Sequence, residues 1–178
     1  MAEGAPPAVK RKYLILMVLT VMIIALDQFT KLLILRRFQL GESIPLVSGF
    51  LSFTYVRNTG AAFGILATAN PAFRVPFFVA VPIFALVAIA YIFRKIPDED
   101  SKLSAALSLV IGGAIGNLLD RLNWGYVVDF IDFHWKQHYH FPAFNVADSA
   151  ICIGVAILMI DLVGQDRAEE SPDASPTS

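Results

Sequence analysis

Four stretches of this chain run too long without charge to suit a water-soluble fold, and they fix most of what it can become. Val75 to Phe93 has no charged residue in 19 positions, and Leu103 to Leu119 has none in 17. Phe144 to Ile160 holds only Asp148 in 17 positions. The run from Tyr13 to Leu26 resumes from Phe29 to Leu35, interrupted by Asp27, Gln28, Thr30 and Lys31 alone. A helix rises about 1.5 Å per residue, so roughly 20 apolar residues cross the hydrocarbon layer of a bilayer. Four membrane spans are expected. Pro76 and Pro82 are compatible with the second, because neighbouring helices re-satisfy the backbone groups that proline frees. Lys10, Arg11 and Lys12 ahead of the first span also fit a secretory signal. No small-residue cleavage site follows before Arg36 and Arg37, so this span is expected to stay as an anchor.

Composition supports the same class. Apolar residues make up 56% of the 178 and charged residues 16%, with a mean hydropathy of +0.62. A net charge of -1 offers no basic surface for nucleic acid, so no nucleic-acid partner is expected. Cys152 stands alone, with no disulfide partner in the chain, and reads as a small hydrophobe.

The organisation expected is a short N-terminal segment at 1–12, a four-helix transmembrane domain at 13–163 and an acidic, Ser- and Pro-rich disordered tail at 164–178. Arg94 to Lys102 is a charged turn between spans two and three. Four crossings then put the end of span one, the 36–72 connection, the end of span three and the 123–144 connection on one side. Asp27, Lys31, Arg57, Asn58, Asn117, Asp120, Arg121, Asp129, Asn145 and Asp148 all fall on that side. Lysine and arginine divide seven and seven between the two sides, so the positive-inside rule does not orient the chain. Gly49 to Val56 alternates like a strand, Asn58-Thr59-Gly60 signals a turn, and Ala61 to Leu66 is a short interfacial helix or segment.

Each polar group has a structural and a functional reading. Asp27 and Lys31 share a helix face and can neutralise each other, or face substrate. Gly112, Gly113 and Gly116 form a close-packing stripe that runs into Asn117, Asp120 and Arg121. Asp129 lies among apolar residues from Tyr126 to Phe133, as a loop dipping toward the membrane or as a reactive acid. Asn145 followed by Asp148 resembles a helix capping pair. Two carboxylates brought close in an apolar setting share a proton, and such a pair can activate water for peptide hydrolysis without metal or cofactor. His134, His138, His140 and Asp132 are the competing metal site, with His134 and His138 spaced for one helix. Trp135, Tyr139 and Phe141, interleaved with them, favour a membrane-surface loop instead. No Gly-x-Ser-x-Gly elbow marks a serine hydrolase.

Five blocks in order resemble the lipoprotein signal peptidases, the signal peptidase II family of bacterial intramembrane aspartic proteases. They are Leu26-Asp27-Gln28-Phe29-Thr30-Lys31, the run from Arg57 to Phe63, the run from Gly112 to Arg121, Val127-Val128-Asp129-Phe130, and the run from Phe141 to Ser149. The resemblance implies an all-α membrane protein of four transmembrane helices with a small extracytoplasmic β-strand region. It makes Asp129 and Asp148 the catalytic dyad, with Asp27, Lys31, Asn58, Gly60, Gly113, Asn117, Arg121 and Asn145 binding substrate or shaping the site. It further implies an endopeptidase that cuts lipid-modified prolipoproteins just before the lipobox cysteine. The enzyme would be a monomer in contact with membrane lipid, at the outer face of the cytoplasmic membrane, with both termini inside. The rival class is a small proton-coupled transporter or channel using Asp27, Lys31, Asp129 and Asp148 as a relay. That all four fall on one side weighs against it.

Overall fold

The computed structural model describes residues 10–60, 66, 68–135 and 139–169, with side chains to residue 164. It contains four helices long and apolar enough to cross a membrane: α1 (Arg11–Arg37), α2 (Pro71–Lys95), α3 (Ser101–Trp124) and α4 (Val146–Glu169). Local chemistry starts and stops them. Asn70 accepts a hydrogen bond from the N–H of Ala72 at 2.9 Å and Pro71 opens α2, while Asp100 caps α3 through the N–H of Leu103 at 2.9 Å. Gly125, with φ of 74°, ends α3 in the left-handed conformation that glycine adopts without strain. Arg36 and Arg37 close α1, and Arg94 and Lys95 close α2, where the helix dipole favours cations. Helix α4 runs through Gly164 to Glu169, into the segment expected as tail, and residues 170–178 lie outside the described part.

Helix α3 is the central post, packing on α1, α2 and α4. Its buried side is rich in small residues, with Ser104, Ala106, Ser108, Gly112, Gly113 and Gly116 beside Leu107 and Val110. A methyl group at Gly113 would collide with the carbonyl oxygen of Ala147, so α3 and α4 touch through backbone there, as the glycine stripe predicts. Large apolar side chains point the other way. Met17, Val21, Phe29, Phe84, Val87, Tyr91, Met159 and Ile160 are exposed, which suits lipid as the outer solvent.

At one end sits a four-stranded antiparallel sheet in the order β1 (Ser43–Val47), β2 (Leu51–Asn58), β3 (Val127–Trp135) and β4 (Tyr139–His140). Ile34 from α1, Tyr55 from β2, and Val128 and Phe130 from β3 form the buried cluster that joins sheet to helices. The opposite end has its own cluster of Phe93, Ile96 and Leu107. There Lys12 donates to the carbonyl of Ile96 at 2.6 Å and pairs with Asp98 at 3.1 Å. The predicted parity of the crossings therefore holds.

The sheet exceeds the single strand expected. The segment from Tyr126 to Phe133, read as a loop dipping toward the membrane, falls in strand β3 from Val127 onward, and both faces of the first half of that strand are buried. Burial on both sides removes the polar–apolar alternation by which a strand is recognised. The same strand overturns the helical spacing of the histidines. His134 lies in β3 and His140 in β4, their rings stacked 5.1 Å apart, while His138 lies outside the described residues, as do residues 61–65 of the interfacial segment.

Candidate active site

A cavity of about 880 Å³ opens where the sheet meets the ends of α3 and α4, within the size range of small-ligand sites. Its walls come from four places. Strand β2 supplies Val56, Arg57 and Asn58, β3 supplies Val127 and Asp129, α3 supplies Asn117 and Arg121, and α4 supplies Asp148, Ser149, Ile151 and Cys152. The connection from Phe141 to Phe144 completes it with apolar surface.

Asp129 reaches the cavity because β3 pairs with β2 in a register that sets it opposite Val56, beside a bulge in β2. It is 1% exposed. Asn145 Nδ2 donates to Asp129 Oδ1 at 2.7 Å, and Asn58 gives it a second hydrogen bond. Burial pushes the Asp129 carboxyl up to about 7, the nearby negative charge of Asp148 adds to this, and the two asparagines and Lys31 only partly oppose it.

Asp148 enters from the first turn of α4. Its N–H donates to Asn145 Oδ1 at 2.9 Å, and its own Oδ2 accepts the N–H of Asn145 at 3.2 Å, a reciprocal capping box. The other carboxylate oxygen accepts from Asn117 Nδ2 at 2.7 Å. Asp148 thus caps α4, as the capping reading expects, and also lines the cavity. Asn145 bridges the two acids, since its amide nitrogen faces Asp129 while its oxygen caps Asp148.

Asp27 and Lys31 form the expected pair at 2.8 Å, with both side chains 0% exposed. They lie behind the cavity and are not part of its wall. A third member, Asp120, pairs with Lys31 at 2.9 Å and is also 0% exposed. Gln28 Nε2 joins the acids, donating to Asp120 Oδ1 at 2.9 Å and Asp27 Oδ2 at 3.1 Å. Asp120 and Gln28 were not among the predicted site residues. The available signal was that Asp120 falls three residues after Asn117, on the same side of α3.

The remaining candidates divide. Arg121 lines the cavity over the ring of Phe78, and its Nη2 donates to the carbonyl of Gly60 at 3.4 Å. The N–H of Gly60 donates to Asn58 Oδ1 at 3.0 Å, so this glycine holds the turn that presents Asn58. Gly113 contributes only the close contact of α3 with α4. Asp132, His134 and His140 lie apart from the cavity: Asp132 accepts from Thr54 and contacts His140 Nδ1, each at 2.9 Å, and His134 Nε2 lies 2.9 Å from Ser52 Oγ. Among the described residues no group of three His, Cys, Asp or Glu is placed to hold a metal.

Two carboxylates at one cavity wall, one carrying its proton near neutral pH and each held by asparagine amides, can bind a water molecule between them and move protons to and from it. Comparison with known proteins narrows the chemistry. The family model described as signal peptidase (SPase) II matches residues 19–164. The lipoprotein signal peptidase of Geobacter metallireducens is 48% identical over 160 residues, which is 90% of this chain and 97% of that one. The lipoprotein signal peptidase of Geobacter sulfurreducens is 51% identical over 144 residues, 81% of this chain and 88% of that one. A bacterial membrane enzyme solved by the in meso method at 2.3 Å resolution superposes with a TM-score of 0.77 at 34% identity, covering 92% of this chain and 94% of the other.

Proposed function

The chain belongs to the signal peptidase II family, and we propose that it removes the signal peptide from prolipoproteins with Asp129 and Asp148 as the water-activating dyad. It is a multi-pass membrane protease. The observation that carries the dyad is the pair of acids at one cavity wall, with Asp129 raised to about 7 by burial and by Asp148. With Asp129 at about 7, the pair keeps a proton into the neutral range, and the step starts from that proton on Asp129. Asp148 takes a proton from the bound water as its oxygen attacks the scissile carbonyl carbon, and Asp129 gives its proton to the carbonyl oxygen. Return of a proton from Asp148 to the peptide nitrogen lets the C–N bond break, and the second hydroxyl of the tetrahedral intermediate passes its proton back to Asp129. Arg121 and Asn58 on the cavity wall offer donors to the peptide backbone.

The substrate is a prolipoprotein whose lipobox cysteine already bears diacylglycerol, cut just before that cysteine. An acyl chain has an apolar path beside the dyad, since Ile151 and Cys152 follow Asp148 by three and four positions and line the same cavity. The enzyme works as a monomer, at the outer face of the cytoplasmic membrane with both termini inside. The test is cleavage of lipidated and unlipidated substrate by purified wild-type, Asp129→Asn and Asp148→Asn proteins. The expected result is that wild type cuts only the lipidated form and both variants leave it intact. Normal processing by either variant overturns the dyad, and equal cleavage of unlipidated substrate overturns the lipid requirement.

A further inference from the structure

We propose that Lys31 is a positioning residue that sets the separation of the two reactive aspartates through a brace of Asp27, Asp120 and Asn117. The inference rests on the dyad reading above. The lysine ammonium has three donors, and all three are engaged: Asp27 at 2.8 Å, Asp120 at 2.9 Å and Asn117 Oδ1 at 2.9 Å.

Each acid of the brace grips the main chain next to one member of the dyad. Asp27 Oδ1 accepts the N–H of Ala147, the residue before Asp148, at 3.0 Å. Asp120 Oδ2 accepts the N–H of Val128, the residue before Asp129, at 3.0 Å. The start of α4 and the start of β3 are therefore both tied to one ammonium nitrogen, through one carboxylate each. The third arm reaches the dyad directly. A lysine only donates, so the amide of Asn117 must turn its oxygen to Lys31, which leaves its nitrogen to donate to Asp148 Oδ1 at 2.7 Å.

None of Lys31, Asp27 and Asp120 lines the cavity and each is 0% exposed, so the brace acts without touching substrate. A purely structural ion cluster would hold α1 to α3 without reaching both dyad segments. Here one cation is connected to α3, α4 and β3 at once. The groups whose charges bear on Asp129 are Asp148, Lys31 and Arg121, so its ionisation reports any change in dyad spacing.

The test uses the full chain with Lys31→Met, Asp27→Asn and Asp120→Asn combined, which removes the ammonium without leaving buried charges unmatched. In the folded variant kcat should fall about 100-fold, as for a small misplacement of reacting groups. KM for lipidated substrate should stay within about twofold, because no group that meets substrate is altered. The alkaline limb of the pH–rate profile should move by more than about half a unit, because both the spacing of the two acids and the charge of Lys31 enter the ionisation of Asp129. Parental kcat per folded molecule with a parental alkaline limb overturns the brace, and so does a raised KM with kcat intact. If the combined variant does not fold, Asp120→Asn alone should lower kcat about tenfold with the same shift, and a parental profile in that variant overturns the proposal. Asp129→Asn is assayed alongside: activity there removes the dyad itself, whereas a silent brace variant beside an inactive Asp129→Asn removes the brace alone.

Discussion

Two pairs of acids lie close together in this protein, one fully buried and one at the cavity, and they are handled in opposite ways. Asp27 and Asp120 share Lys31 and Gln28, have no cavity surface, and meet a cation at 2.8 and 2.9 Å. Asp129 and Asp148 receive mostly neutral amide donors and face the cavity. A cation in direct contact offsets part of the cost of burying a carboxylate, whereas the cavity pair is hydrogen-bonded by neutral amides, with charged groups acting on it only from a distance. What separates the two pairs is a positive partner in direct contact, which the buried pair has and the cavity pair lacks among the described residues.

The largest effect expected from disturbing this contrast is on activity. Asp129→Asn or Asp148→Asn should lower cleavage by about 10³-fold or more, since one member of a proton-transfer pair is gone. Quantifying lipidated, uncut precursor against mature product measures it. Lys31→Met alone should cost stability as well as activity, by about 3 to 5 kcal/mol, because two buried carboxylates lose their cation. Thermal unfolding in detergent reads that loss.

The pH dependence sharpens the contrast further. Asp129 ionises near 7 in the folded protein, well above an ordinary aspartate, so the fold holds a proton that the unfolded chain has already released. Its contribution therefore favours the fold at acid pH and is lost as pH rises from the unfolded value through about 7. Asp129→Asn should raise stability at pH 8 by about 2 to 4 kcal/mol and change it little at pH 4, which unfolding at the two pH values decides. In the wild type, kcat/KM should decline as pH rises through about 7, when the dyad loses its proton. The smallest effect belongs to an exposed pair. Lys102 and Asp161 meet at 2.8 Å, the same distance as Lys31 and Asp27, but the lysine is 55% exposed. Lys102→Ala should cost about 0.5 kcal/mol or less, so that burial rather than distance sets what an ion pair contributes.

The spans were legible because hydropathy over 17 to 19 residues is a long signal that packing cannot mask. One-sided placement of the polar residues followed from counting crossings. Strand β3 was not legible, since Val127, Val128, Asp129 and Phe130 are all buried and its two faces look alike. Most residues of the cavity wall fall inside the ordered blocks, but which of them face the cavity was not legible there. Asp27 and Lys31 read equally well as a pair or as substrate contacts, and only the position of Asp120 on the neighbouring helix settles them behind the cavity. Gly113 shows the same limit. It lies inside a matching block, yet its contact is with the backbone of α4 rather than with the cavity.

The capping box at Asn145 and Asp148 gives position 148 two obligations that no other side chain meets together. Alanine there loses the cap as well as the acid, about 1 kcal/mol of helix start beyond the chemistry, whereas asparagine keeps the hydrogen-bonding shape. Glutamate suits the third position of a capping box but carries its carboxyl one methylene farther from Asn117. On the proposed dyad, an inhibitor that hydrogen-bonds the Asp148 carboxylate would hold an atom the organism cannot trade away, and escape from such a compound would have to arise elsewhere on the cavity wall.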